Sequence, residues 1–269
     1  MMIRGLLLLL AAALPGGAQT FIQMSDPQFG MYTKDVDFVH ETANFEFAVA
    51  AANRIKPAFV IVTGDLTNKA GDPAQVAEFH RIAKKLDPKV KLFPVAGNHD
   101  VGNEPTAESL ALYRKNYGPD YYSFQVGEIS GIVLNSNLER GSKNVPAEAA
   151  RMEAWFKDEL AKAKSAGAKH ILVFQHISFF LKDAGEPDQY FNIPPDVRKR
   201  YLKLMHDYGV QAVFAGHYHR NEFGRDGTLE MVTTGPVGMP LGGAKSGLRV
   251  VTVDDNGVTH KFHDFGDLP

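Results

Sequence analysis

No cysteine occurs anywhere in the 269 residues. That excludes a disulfide, a thiolate nucleophile, a lipidated cysteine anchor and any Cys-based zinc site, and leaves only nitrogen and oxygen as metal ligands. Charge of one sign is scarce as well. Lys+Arg number 29 against 31 Asp+Glu, a formal net charge of −2, with no long basic run, so the chain carries no nucleic-acid footprint and no nucleic-acid partner is expected. The longest apolar run, Leu6 to Leu14, is well short of the ~20 residues that a membrane span requires. Repeats of fixed period, low-complexity tracts and Ser/Pro-rich linkers are also missing, which removes solenoids and chains of small modules.

What is present points to one globular unit. Hydrophobic residues make up 44% and charged residues 22%, enough for a single large core. The first residues, "MMIRGLLLLLAAALPGGAQT", combine Arg4, the apolar run and then small residues. That pattern reads as a secretory signal peptide over 1–18, cleaved after Ala18 where Gly16 and Ala18 supply the small-x-small pair. The mature chain, 19–269, is therefore expected outside the cytosol, in the periplasm or secreted.

Along the mature chain the hydrophobic period alternates. "TFIQMSD" reads as a strand, Asp37 to Arg54 as a helix closed by Pro57, and "AFVIVTGD" as a buried strand. A helix from Pro73 to Leu86 and the strand "KLFPVAGNHD" repeat the unit. "YYSFQVGEISGIVLNSN" alternates across Gly127 like a hairpin. Helices Ala147 to Ala166 and Pro195 to Tyr208 precede the strands "KHILVFQH" and "VQAVFAGHYH". The tail, "LEMVTTG" and "GLRVVTVDDNGVTHKFHDF", reads as strands, the last two joined by a tight turn at "DDNG". The result is a single α/β domain with more than one sheet and helices outside.

Five of these strands end in polar clusters: "SDPQ" at Asp26 and Gln28, "GDLTN" at Asp65, "GNHD" at Asn98, His99 and Asp100, "QH" at His176, and "GHYH" at His217 and His219. Because α/β sheets place ligand sites outside the carboxyl ends of their strands, the five can converge on one spot. Carboxylate, amide and imidazole together suit Mn, Fe or Zn. Positions i and i+2 of an extended segment face one way, which would aim Asp26 with Gln28, and His217 with His219, at the same place. Gly64, Gly97 and Gly216 stand directly before Asp65, Asn98 and His217, where the backbone must turn sharply off the strand and pack close.

The order D-x-Q, G-D-x-x-N, G-N-H-D, H, G-H-x-H resembles the calcineurin-like metallophosphoesterases, whose general pattern runs D-x-H, G-D, G-N-H-D/E, H, G-H-x-H. More narrowly, "DPQFG", "GDLTN", "FQHISFFL", "YFNIPPDVRKRYL" and "GHYHRN" resemble the calcineurin-like phosphoesterase domain-containing protein 1 group, described as serine/threonine-protein phosphatases. The resemblance runs from Phe21 to about Phe265. It implies a four-layer sandwich of two mixed β-sheets flanked by helices, with 19–269 as one metallophosphoesterase domain. It also implies two divalent metal ions bridged by Asp65, one completed by Asp26, His219 and the position of Gln28, the other by Asn98, His176 and His217. His99 would stand beside the metals as the acid or electrostatic group, oriented by Asp100. Gln28 replaces the usual histidine, and is either a neutral carbonyl ligand or a hydrogen-bonding residue behind the ligands. Asn68 stands where many relatives have Asp or Arg, so no role is carried over to it.

The chemistry so implied is hydrolysis of a phosphate ester by a metal-bridging hydroxide, with two ions about 3.5–4 Å apart clamping an in-line displacement. Arg220 is placed in sequence to meet the phosphate. Phe29, Tyr32, Phe179, Phe180 and Tyr190 could line an entrance or lie in the core. The expected substrate is a phosphate monoester, either phosphoserine/phosphothreonine or a small phosphorylated metabolite. A phosphodiesterase is the alternative, as is a catalytically weak phosphate-binding protein in which Gln28 fails to hold its ion.

Overall fold

Residues 17–269 are described by the computed structural model, so the expected signal peptide lies outside the described residues apart from its last two positions. The first half runs β1 (Gln19–Met24), α1 (Val39–Ile55), β2 (Phe59–Val62), α2 (Pro73–Ala83), β3 (Lys91–Pro94), α3 (Asn98–Val101), α4 (Ala107–Tyr117), β4 (Tyr122–Val126) and β5 (Ile129–Val133). It continues α5 (Ser136–Arg140), α6 (Pro146–Ser165), β6 (His170–Phe174), α7 (Pro195–Tyr208), β7 (Ala212–Ala215), β8 (Glu222–Asp226), β9 (Leu229–Thr233), β10 (Gly247–Asp254) and β11 (Gly257–Asp264).

The strands form two sheets, ordered β11-β10-β1-β2-β3 and β4-β5-β6-β7-β9-β8. Both are mixed: β1, β2 and β3 run parallel beside antiparallel β10 and β11, while β5, β6, β7 and β9 run parallel with β4 and β8 antiparallel at the edges. The alternation in β1 divides two cores. Phe21 points between the sheets, stacked on Phe59 at 4.7 Å and edge-on to Phe174 and Phe214 of the opposite sheet at 5.7 and 5.4 Å. Ile22 and Met24 point outward into the cluster that holds Phe45 of α1 and Phe79 of α2. On the other outer side Phe156 of α6 stacks on Tyr201 of α7. The expected four layers, helix, sheet, sheet and helix, are those observed.

Toward the carboxyl ends of β1, β2 and β7 the inter-sheet layer turns polar. Gln23 donates to Thr63 Oγ1 and to the Ala215 carbonyl, both at 3.0 Å, and accepts from Thr234 Oγ1 at 2.6 Å. Thr234 in turn accepts from buried Arg249 at 2.7 Å. This tier joins the two sheets directly beneath the five polar clusters.

The anticipated elements are present, with three additions. Strand β8, helix α4 and the short helix α5 have no counterpart in the periodicity, and "GNHD" starts the one-turn α3 after β3 instead of ending a strand. Likewise "VQAVFAGHYH" leaves the sheet at Ala215, so His217 and His219 lie in the loop beyond β7.

Candidate metal centre

Each polar cluster follows the carboxyl end of a parallel strand, β1, β2 and β3 of one sheet and β6 and β7 of the other. Loop-to-loop hydrogen bonds fasten them together: Asp26 N donates to the Gly64 carbonyl, Gln28 N to the Asp65 carbonyl and Gly216 N to the His176 carbonyl, at 2.9–3.1 Å. The backbone is not extended here, contrary to the i, i+2 expectation. Asp26, Gln28, Asp65, His217 and His219 all have positive φ, between 42° and 67°. They are five of the eight such non-glycine residues described. A left-handed conformation costs an L-residue roughly 1–2 kcal/mol, so strain is concentrated where the polar side chains converge.

The glycines allow the close approach. A Cβ on Gly64 would overlap the His176 ring, and one on Gly97 would overlap the backbone and carboxylate of Asp65.

Two donor groups result, and they share Asp65. Asp65, His176 and His217 each offer an atom within 4.8 Å of the others, and so do Asp26, Asp65 and His219. All five residues are buried. The histidine tautomers are fixed from behind. His176 Nδ1–H donates to the Thr63 carbonyl at 2.8 Å and His219 Nδ1–H to the Met239 carbonyl at 2.5 Å, leaving Nε2 of each facing the carboxylates. His217 is turned the other way, Nε2–H donating to the Tyr190 carbonyl at 3.2 Å, so its Nδ1 is the free nitrogen. Such backing by carbonyls is what metal-ligating imidazoles require. Asn98 Oδ1 stands 3.0 Å from His176 Nε2.

Gln28 is fully buried, and its amide donates to Asn68 Oδ1 at 3.2 Å while its Oε1 has no partner among the described residues. A buried carbonyl oxygen without a donor costs about 1–3 kcal/mol. A cation beside it would satisfy that atom, so the residues present fit a metal on this side too.

Electrostatics agree with a centre built for positive charge. Burial works to raise the Asp65 pKa, but His176, His99 and His217 together hold it well below the usual carboxylate range. His176 is pushed up to about 9, burial opposing and the Asp65 and Asp26 charges prevailing. His219 is raised against its burial by Asp26. Burial and the neighbouring His176 push His217 down to about 4.

His99 and Asp100 part company. The His99 backbone N donates to Asp65 Oδ1 at 2.8 Å, and its Nδ1–H donates to the Asn68 carbonyl, also at 2.8 Å. The orienting partner of this half-buried ring is therefore Asn68, not Asp100. Asp100 instead accepts from the backbone N–H of Gly97, Leu66 and Thr67 and from Thr67 Oγ1, at 2.9–3.2 Å. It clamps the β2 loop to the β3 loop; burial and the Asp65 charge raise its pKa to about 7 against these donors. Asn68 joins Gln28, His99 and, through Nδ2, Asp35 at 2.8 Å. Nothing in "GDLTN" distinguishes it from an ordinary turn asparagine.

Of the remaining residues, Phe29, Phe179 and Phe180 belong to the core. Arg220 is exposed and lies over the Tyr218 ring at 5.2 Å, and none of its described contacts is to a donor-group residue. Tyr190 is 49% exposed, packs on His217 with ring centroids 4.9 Å apart, and brings its hydroxyl 3.5 Å from Asn98 Nδ2. A cavity of about 860 Å³ between α6 and α7 contains no motif residue.

Comparison with known proteins places these observations. The profile of the calcineurin-like phosphoesterases matches residues 20–221. Serine/threonine-protein phosphatase CPPED1 of Bos taurus is 38% identical over 92% of this chain and 84% of its own length. The Homo sapiens protein of that name is 36% identical with the same coverage. A dimetal phosphatase from Danio rerio has a similar fold, with a TM-score of 0.65 at 13% identity over 92% of this chain and 96% of that one. On this match the chain belongs to the calcineurin-like phosphoesterase family and is a phosphoesterase hydrolase.

Proposed function

We propose that the chain hydrolyses phosphate monoesters at a two-ion centre. The observation that carries this reading is the pair of buried donor groups meeting at Asp65. One ion would be held by Asp26, Asp65, His219 and Gln28 Oε1, the other by Asp65, Asn98 Oδ1, His176 and His217; this nitrogen and oxygen set suits Mn, Fe or Zn. Two such ions, when bound, supply Lewis acidity toward phosphoryl oxygens and lower the pKa of water.

The chain's own residues do the rest. His217 already presents a neutral nitrogen, whereas His176 must release its proton before it can bind an ion. His99 points its Nδ1–H at Asn68, so Nε2 is the atom that can carry a proton toward the departing alcohol oxygen. Asp100 fixes the turn that carries His99 by holding Gly97, Leu66 and Thr67. The orphaned Gln28 oxygen favours ion binding over a metal-poor phosphate-binding protein.

The substrate is then a phosphorylated alcohol, met outside the cytosol if 1–18 is removed. In support of removal, β1 begins at Gln19, directly after the expected cleavage site; N-terminal sequencing of the protein from its own host tests it. For the activity, p-nitrophenyl phosphate and bis-p-nitrophenyl phosphate are compared with Mn²⁺ and after chelation. Monoester turnover that chelation abolishes and Mn²⁺ restores is the expected result. Preference for the diester, or turnover indifferent to chelation, contradicts the reading.

A further inference from the structure

Of the eight described non-glycine residues with positive φ, three lie outside the metal centre: Lys34, Asp35 and Lys56. Two of the three, Lys34 and Asp35, shape a single loop and bring one exposed carboxylate, that of Asp35, to the hydrogen bonds behind Gln28. The loop closes tightly. Asp35 N donates to the Gly30 carbonyl at 2.8 Å, and a Cβ on Gly30 would overlap both the Asp35 carboxylate and the Gln75 amide. Strained backbone persists only where its surroundings fix it, and here it is fixed around Asp35.

A chain of amides leads from that carboxylate to the centre. Asp35 Oδ1 accepts from Asn68 Nδ2 and from Gln75 Nε2, both at 2.8 Å. Gln75 is itself locked, its Oε1 accepting from the backbone N–H of Asn68 and Lys69 at 3.0 and 2.9 Å. Asn68 Oδ1 accepts from Gln28 Nε2 at 3.2 Å. Gln28 Oε1 ends the chain, buried and without a partner among the described residues.

Each step fixes the next. An amide can sit either way round, whereas an ionised carboxylate only accepts. Facing Asp35, Asn68 must present its NH₂, which leaves its oxygen toward Gln28. Facing that oxygen, Gln28 must present its NH₂ in turn, which leaves its own oxygen as the free end. Reversed amides would set oxygen against oxygen at Asp35 and leave the Gln28 NH₂, which cannot bind a cation, as the free end instead.

We propose that Asp35 is the positioning residue for the Gln28 side of the centre: through Asn68 it determines that an amide oxygen, and not an NH₂, is offered to the ion there. The inference rests on the two-ion reading, with Gln28 as a ligand. A metal-binding imidazole takes its orientation from a carboxylate or carbonyl behind it; with glutamine in that place, the carboxylate stands one amide further back. The aligned hydrogen bonds also polarise Gln28 Oε1 in the sense that a cation favours.

Asn68 also holds His99 through its backbone carbonyl, so turnover would mix two effects and the test reads ion binding. Mn²⁺ is titrated into the metal-free protein, and free Mn²⁺ is followed by electron paramagnetic resonance. The samples are the parent, Asp35→Ala, Asp35→Asn, Gln28→Ala and the double variant that combines Gln28→Ala with Asp35→Ala. In Asp35→Ala one ion is expected to bind ~10-fold more weakly, the lower end of what a partner behind a ligand is worth, while the other ion is unchanged and controls for folding. Asp35→Asn keeps an accepting oxygen and is expected to lose less. With Gln28 already replaced, Asp35→Ala should cost nothing further, which separates an effect through Gln28 from a disturbed loop or a lost surface charge. Four results would each overturn the inference and leave the two-ion reading standing: parental binding by Asp35→Ala, equal losses in Asp35→Asn and Asp35→Ala, an undiminished Asp35 effect in the Gln28→Ala background, or parental binding by Gln28→Ala. A parent that binds no Mn²⁺ overturns the two-ion reading itself.

Discussion

The same strands serve two opposite ends of the inter-sheet layer. Phe21, Phe59, Phe174 and Phe214 fill one end with mutually packed rings. A few residues further along the same segments stand Asp26, Asp65, His176 and His217. At the first end every residue has a conformation that strands favour and a side chain that needs no partner. At the second end Asp26, Gln28, Asp65, His217 and His219 accept left-handed backbone, and the ring nitrogens of His176, His217 and His219 each depend on a particular carbonyl. Stability is generated in one half of the layer and consumed in the other, the usual arrangement for a site that must hold charge in a fixed geometry.

The most severe break in this comparison is Asp65→Asn. It preserves shape and tolerance of positive φ but removes the carboxylate that both donor groups share. A fall in kcat/KM of about 10³-fold or more is expected, with a lower melting temperature than the parent in chelator below pH 9, because His176 loses the charge that raises its pKa; unimpaired turnover would remove Asp65 from the centre of the account. The converse change, Phe21→Ala, should lower unfolding free energy by about 3–5 kcal/mol in urea titrations, while activity per folded molecule stays within about twofold. Loss of activity in proportion to stability would show that the two ends are not separable.

A third test uses pH on the metal-free protein. The folded pKa of His176 is raised from 6.5 to about 9, so its contribution to stability is fully present below pH 6.5 and lost as pH rises through 9. Asp100, raised from 3.8 to about 7, acts in the same direction over its own window: the folded state holds that proton more tightly, so stability declines between pH 3.8 and 7. In chelator the melting temperature is therefore expected to fall from pH 6.5 to 9. Added Mn²⁺ should reverse the trend, because ions and the His176 proton compete. A flat profile in chelator would contradict the charge arrangement around His176.

The smallest effect separates useful strain from incidental strain. Lys56, with φ of 56° at the carboxyl end of α1, has no functional neighbour, and Lys56→Gly should stabilise by about 1 kcal/mol. Gln28→Gly relieves similar strain and deletes the orphaned oxygen but also empties a buried site and removes the bond to Asn68, so it should not stabilise the metal-free chain as Lys56→Gly does, and it should weaken binding of one ion. Equal ion binding by the parent and Gln28→Gly would assign Gln28 to hydrogen bonding alone.

How much of this was legible from the residues alone follows from what each signal reports. Hydrophobic period marks buried strands well, so β1, β2, β6, β7, β10 and β11 and the long helices were readable. Edge strand β8, "EFGRD", is short, charged and interrupted by Gly224, and carries no such period. Helix α4 is defined more by the reciprocal bonds of Thr106 and Ser109 at its start than by an apolar face. The motifs brought the right side chains together because strand ends determine where loops converge. They did not reveal that Asn68 rather than Asp100 directs His99, since that depends on backbone carbonyl direction, which no residue type encodes. Nor did they reveal the left-handed backbone of Asp26, Gln28, Asp65, His217 and His219, because tertiary hydrogen bonds impose it against local preference.

The most direct test of the central claim is a count of divalent ions bound to residues 19–269, made by elemental analysis after equilibration with Mn²⁺ and removal of excess. The account predicts two ions per chain in the parent and fewer in Asp65→Asn. A parent that binds none, or an Asp65→Asn variant that still binds two, would contradict it.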